Sequence, residues 1–89
     1  MQNLFRTKTF LKEYAKIKFT DKLYFKYVIY VSTLLKGEAL PLEALDHPLK
    51  AEYAGYRELH ISGDLLLIYK IEEETVKLVR IGTHSQLFK

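Results

Sequence analysis

The spacing of hydrophobic positions changes period midway along the chain. From Thr7 onward the apolar residues Phe10, Leu11, Tyr14 and Ile17 recur at helical intervals. Leu23, Tyr27, Val28, Val31, Leu34 and Leu35 form a second helical stripe. Thr20 or Asp21 can cap it, Gly37 suits a left-handed stop, and Pro41 lies beyond its end. After the loop and turn of residues 38–52 the period becomes two and β-branched and aromatic residues take over. Residues 56–61 and 65–71 read as strands joined by Ser62-Gly63-Asp64, and residues 75–81 as a third strand after the acidic turn Glu72-Glu73-Glu74. A short candidate strand, residues 3–6, precedes the helices. The expected fold class is α+β, in the order β-α-α-β-β-β, with two amphipathic helices burying their stripes against one face of an antiparallel sheet.

Strand alternation assigns faces. Tyr56, Glu58 and His60 share one side, and Arg57, Leu59 and Ile61 the other. Helices covering the Leu59 side leave His60 on an open face. In the last strand Arg80 alternates in phase with Val76 and Leu78 and sits at the strand end, close in sequence to His84.

The 89 residues allow one domain, 1–89, and 48% hydrophobic with 28% charged residues is an ordinary globular balance. The absence of cysteine excludes disulfides, thiolate nucleophiles and cysteine-ligated zinc, and fits the cytoplasm. The longest apolar stretch, residues 23–35, is interrupted by Lys26 and falls short of the roughly 20 residues a spanning helix needs, so no membrane association is expected. The first residues lack the apolar core of a signal peptide.

Charge is distributed unevenly. Residues 1–36 hold eight basic side chains against two acidic ones, a net +6, whereas the remainder holds six against nine, a net −3. Lys8, Lys12 and Lys16 recur every four residues, as do Lys18, Lys22 and Lys26, which places each set along one side of a helix. Such stripes are either solvated faces or surfaces for a polyanion.

All three histidines lie in the second half, each in a short polar motif: Asp46-His47-Pro48-Leu49, Tyr56-Arg57-Glu58-Leu59-His60 and Gly82-Thr83-His84-Ser85-Gln86-Leu87-Phe88. Imidazoles clustered on a small scaffold point to acid-base chemistry or metal binding. Singly, each residue also has a structural reading: His47 as a loop surface residue, Asp64 as a turn former, Arg80 in a surface ion pair, His84 in the first turn after a Thr83 cap, Phe88 as a pin for the tail. Three histidines as zinc ligands are a further possibility, without the short ligand spacing of a zinc motif. A non-catalytic nucleic-acid- or protein-binding module is another.

In order and spacing the motifs Leu40-Pro41-Leu42, Asp46-His47-Pro48-Leu49, Gly55-Tyr56-Arg57-x-x-His60, Asp64-Leu65-x-Leu67-Ile68-Tyr69-Lys70 and Arg80-x-Gly82-Thr83-His84-x-x-Leu87-Phe88 resemble the RelE-type toxins of bacterial toxin-antitoxin systems, most closely their YafQ branch. They span residues 40–88; the amino-terminal half matches only in helical pattern and basic character. Two departures occur: Ser62-Gly63 stands where the branch usually has Glu-Pro, and Leu65 where it usually has tryptophan.

The resemblance implies a RelE-like fold with a short carboxyl-terminal helical turn, and a toxin that cuts messenger RNA in the ribosomal A site. It further implies neutralisation by a cognate antitoxin, contact with operator DNA only through that complex, and no cofactor. It carries over His47, His60, Asp64, Arg80, His84 and Phe88 as site residues. The chemistry is consistent with these residue types. Attack of a 2′-hydroxyl on the adjacent phosphate needs a base, an acid for the leaving 5′-oxygen and positive charge at the phosphorane, and each proton transfer is typically worth roughly 10² to 10⁴ in rate. His84 is the expected acid, His47 or Asp64 the base, and His60 a phosphate contact. Arg80 offers a bidentate fork, Phe88 a stacking face, and Lys8, Lys12 and Lys16 a surface for phosphates.

Overall fold

The computed structural model describes residues 1–88. Its elements run β1 (Asn3–Arg6), α1 (Lys8–Ala15), α2 (Asp21–Leu35), β2 (His47–Pro48), β3 (Arg57–Ser62), β4 (Leu65–Glu72), β5 (Thr75–Gly82) and α3 (His84–Leu87), with single 3₁₀ turns at Leu42–Ala44 and Ala51–Tyr53. The five strands form one sheet in the order β1-β5-β4-β3-β2. The meander β3-β4-β5 is antiparallel, as the alternation predicts. Period alone did not reveal its two edges: β1 joins β5 in parallel, Asn3 opposite Thr75, and the two-residue β2 pairs antiparallel with β3, His47 opposite Glu58.

Each helix starts at a threonine. The Thr7 side chain accepts a hydrogen bond from the Phe10 N–H at 3.0 Å and Thr20 one from Leu23 at 3.1 Å, satisfying donors that a first turn leaves unpaired. α2 ends at Gly37, whose φ of +72° is the left-handed conformation the sequence foretold. There the Glu38 N–H reaches the Thr33 carbonyl and the Gly37 N–H that of Leu34.

α1 packs on β5 and α2 on β3, and the main core lies between helices and sheet. It contains Phe10, Tyr27, Tyr30, Val31, Leu34, Leu59, Ile61, Leu67, Tyr69, Val76, Leu78 and Ile81. Two expectations for the helices are corrected. Val28 is exposed and Tyr30 takes its place, because Tyr27, Tyr30, Val31 and Leu34, at i, i+3, i+4 and i+7, share the sheet-facing side of α2. Lys18 lies in the linker before α2, so Lys18, Lys22 and Lys26 form no continuous stripe, and Lys26 instead pairs with Glu43 at 3.4 Å. Burial pushes the Tyr27 phenol up to about 12, with the neighbouring Tyr14 adding to the shift.

The opposite face of the sheet carries a second, smaller cluster. Leu66, Ile68 and Leu87 are buried there, with Leu49, Tyr53, Tyr56, Val79 and Phe88 packed around them. The expected alternation in β5 breaks at this point. Ile68 pairs with Arg80 but Tyr69 with Leu78, leaving Val79 as an extra residue in a β-bulge. The bulge turns Arg80 out of phase with the core residues Val76 and Leu78, with which alternation had grouped it.

Candidate active site

The face free of helices gathers most of the residues singled out by the sequence. β2 and β3 bring His47 opposite Glu58, and the alternation of β3 puts His60 on the same side as Glu58. The Glu58 carboxylate is buried, with 5% of the residue exposed, and lies between two imidazoles: His47 Nε2 is 3.8 Å from one oxygen and His60 Nε2 3.6 Å from the other. The two rings stand 6.2 Å apart, centroid to centroid. His47 Nδ1 lies 2.6 Å from the Leu45 carbonyl, to which it donates, so Nε2 is the nitrogen turned toward Glu58. Leu45 adopts φ +49° to aim that carbonyl, a left-handed conformation unusual for a leucine.

A second network fixes the loop carrying His47. Asp46 accepts from Arg57 at 2.9 Å and from the Tyr69 hydroxyl at 2.5 Å. Burial first, and then this hydrogen bond to Asp46, raise the Tyr69 phenol well above the ordinary tyrosine range. The hydroxyl remains a donor, and Asp46 is held in place immediately before β2 and its His47.

The third histidine arrives from the other side of β4. His60 and Gly82 both pair with Leu66, one from each neighbouring strand, so their backbones lie roughly 10 Å apart across two strand spacings. α3 starts two residues later. Its Thr83 and Gln86 form a reciprocal capping box, the Thr83 N–H donating to Gln86 Oε1 at 2.8 Å. A Cβ at Gly82 would stand 2.8 Å from that oxygen, so any larger residue there would push the Gln86 side chain out of the box. Leu87 is buried beneath the helix, while His84 is exposed with its ring 5.1 Å from that of Phe88. Phe88 meets Tyr53 edge-on at 5.8 Å.

Arg80 is fully engaged. Its Nη2 and Nε donate to Glu13 at 2.5 and 3.2 Å, and its Nη1 reaches the Tyr53 hydroxyl at 3.2 Å and the Leu87 carbonyl at 3.5 Å. Hydrogen bonding to Glu13, then to Tyr53, raises its already high pKa. Together with Lys50, Phe88 and Gln86, Arg80 and Tyr53 line a groove of about 470 Å³. A larger cleft of about 780 Å³ lies on the other flank, between His47, Asp46, Arg57, Leu42 and Leu45.

Asp64 is not brought into this arrangement by any recorded contact: it stands exposed in the β3–β4 turn without an ion pair among the described residues. Nor do His47, His60 and His84 converge as three zinc ligands; no group of three or more histidine, aspartate or glutamate side chains among the described residues is placed to hold a metal ion. Lys8, Lys12 and Lys16 lie along α1 and its cap, exposed and outside any ion pair among the described residues. Sequence reasoning missed Glu58 and Glu13. For Glu58 the signal was present, a carboxylate two residues before His60 on its own face of β3. For Glu13 there was none, since its partner Arg80 is 67 positions away.

Chemically, the face offers two imidazoles around one buried carboxyl group, a third imidazole on an aromatic ring, and a groove beside it. Comparison with known proteins gives the chain its relatives. Residues 2–89 match the family model described as bacterial toxin of type II toxin-antitoxin system, YafQ. The mRNA interferase toxin YafQ of Escherichia coli K12 is 44% identical over 61 residues, covering 66% of each chain, so about two thirds of that relative's length is matched. The structure of the E. coli DinJ-YafQ complex superposes with a TM-score of 0.84 at 29% identity, over all of both chains. A metal-bound toxin from Helicobacter pylori superposes with a TM-score of 0.83 at 39% identity, over 99% of this chain and all of the other.

Proposed function

The chain belongs to the YafQ family of bacterial toxins of type II toxin-antitoxin systems, and on that premise we propose that it is an endoribonuclease that cuts messenger RNA in the ribosomal A site. In this reading it acts in the cytoplasm, stops translation, and is held inactive by a cognate antitoxin, through which alone it meets operator DNA. The antitoxin is supported by the relative solved with DinJ. The observation that carries the activity is the pair His47 and His60 on the buried Glu58, with His84 two residues beyond Gly82, which pairs with the same Leu66 as His60 does.

The reaction needs only proton transfers. A base removes the 2′-hydroxyl proton, the 2′-oxygen bonds to phosphorus, the bond to the 5′-oxygen breaks, and an acid returns a proton to that oxygen. The products are a 2′,3′-cyclic phosphate and a free 5′-hydroxyl. We assign the base to His47, whose Nδ1–H is committed to Leu45 and whose Nε2 is free to exchange. His60, on the other oxygen of Glu58, is the phosphate contact and can stand in as base. His84, on an exposed first turn, is the acid, and Phe88 beside it stacks a base next to the scissile bond. Asp64 is a candidate for steering the strand from the hairpin tip. The exposed lysines of α1, of which Lys16 lines a shallow pocket with Gln86 of α3, are assigned to ribosomal RNA phosphates.

Inducing the chain without a partner and mapping messenger 5′ ends tests this. Cuts that keep the reading frame, with naked RNA cut poorly by the purified protein, are the expected result. Normal growth at high soluble expression, or efficient cutting of naked RNA, would sink the ribosome-dependent reading.

A further inference from the structure

Glu13 lies on α1, distant in sequence from the histidines and from Arg80, and yet it bonds directly to the strand that leads into α3. One of its oxygens accepts from the Ile81 backbone N–H at 3.1 Å, and the other accepts from Arg80 Nη2 and Nε. Both partners are on β5 just past the Val79 bulge, and both groups are largely removed from water, with side-chain exposures of 26% for Arg80 and 20% for Glu13. This leaves Nη1 as the one guanidinium nitrogen not spent on Glu13, and it spans Tyr53 and the Leu87 carbonyl. Leu87 is the last residue of α3, and Tyr53 supports the edge of Phe88.

α3 has only four residues and cannot hold itself, since a single turn is far below the length at which an isolated helix is stable. It is fixed at its start by the capping box and beneath by Leu87; at its end the side-chain tie is Arg80. We propose that Glu13 is a positioning residue for cleavage: by clamping Arg80 it sets where α3 presents His84 and Phe88. Arg80 then acts chiefly through the groups it holds, because a phosphate could take its fork only by displacing a carboxylate that also bonds Ile81. This rests on the endoribonuclease reading above.

Glu13→Gln keeps the shape of the side chain and removes its charge. With purified ribosomes and a short messenger as probe, kcat should fall roughly 10- to 100-fold, the scale of a misplaced catalytic group, while KM stays within about twofold. In an Arg80→Gln background the same change should add nothing. Nuclear magnetic resonance of the free protein gives a readout independent of activity: the His84 ring, Phe88 ring and Leu87 amide signals should shift, while those of His47 and His60 stay in place. Unchanged kcat with unchanged α3 signals would overturn the proposal. So would a fall in KM with kcat preserved, since Glu13 would then merely mask Arg80 from RNA. Should the unaltered chain cut nothing, the endoribonuclease reading fails while the α3 signals still decide whether Glu13 places that helix.

Discussion

The two faces of the sheet are built from the same strands and do opposite things. Along β4 alone, Leu67 and Tyr69 point into the helix-covered core, while Leu66 and Ile68 point into the small cluster beneath the histidines. The covered face is apolar and sealed by two capped helices. The other keeps just enough apolar floor to seat α3 and the 3₁₀ turn at Tyr53, and leaves its rim to charged and aromatic groups. A small domain has little area to bury, and here one side carries most of the stability so that the other can keep three imidazoles at a partly open surface, two of them around the buried Glu58.

The sharpest way to break this contrast is at the histidines. Replacing His47 and His60 together by alanine should lower cleavage by roughly 10² to 10⁴ and leave the melting temperature almost unchanged, as scanning calorimetry and a ribosome cleavage assay would show. A large loss of stability would mean that the pair on Glu58 is structural. Next in size is a comparison within β4. Leu67→Ala should cost about 4–5 kcal/mol by urea unfolding, and Leu66→Ala about 2–3 kcal/mol, because the thinner cluster can collapse onto the gap. Equal costs would make the two faces energetic equals. The smallest effect on the fold is expected from the lysines. Turning Lys8, Lys12 and Lys16 to glutamate should shift stability by only about 0.5 kcal/mol. Ribosome binding should nonetheless weaken, with the slope of log affinity against log salt falling by roughly one per lost phosphate contact. A slope that stays put identifies the stripe as a solvated face.

What the sequence made legible follows from range. The meander and both helices could be read because their signals repeat every two or every three to four residues, and Thr7, Thr20, Gly37 and Thr83 mark ends by local chemistry. His60 was correctly assigned to the face away from Leu59, and His84 to a first turn. The failures were matters of tertiary pairing. Nothing local says that residues 3–6 pair with β5 in parallel, that the bulge at Val79 rotates Arg80 off the core face, or that Glu13 will meet it. The choice of Tyr30 over Val28 on α2 was likewise settled by the sheet's position rather than by periodicity. Asp64, carried over by resemblance, sits in its expected turn, exposed and without an ion-pair partner among the described residues.

The parallel pairing of β1 with β5 has a kinetic side. Asn3 and Thr75 are 72 positions apart, so closing this contact costs more chain entropy than the hairpins, whose partners are near neighbours. The expected order of assembly therefore starts with the meander and ends with the arrival of β1. Thr7, whose hydroxyl both caps α1 and donates to the Val79 carbonyl at 2.8 Å, would join at that late step. Thr7→Val, which removes that hydroxyl at nearly constant shape, should then raise the unfolding rate and barely touch the folding rate. A toxin organised in this way has its histidines roughly in place early, but gains the α1 side of the Arg80 clamp only when its first strand docks on its last.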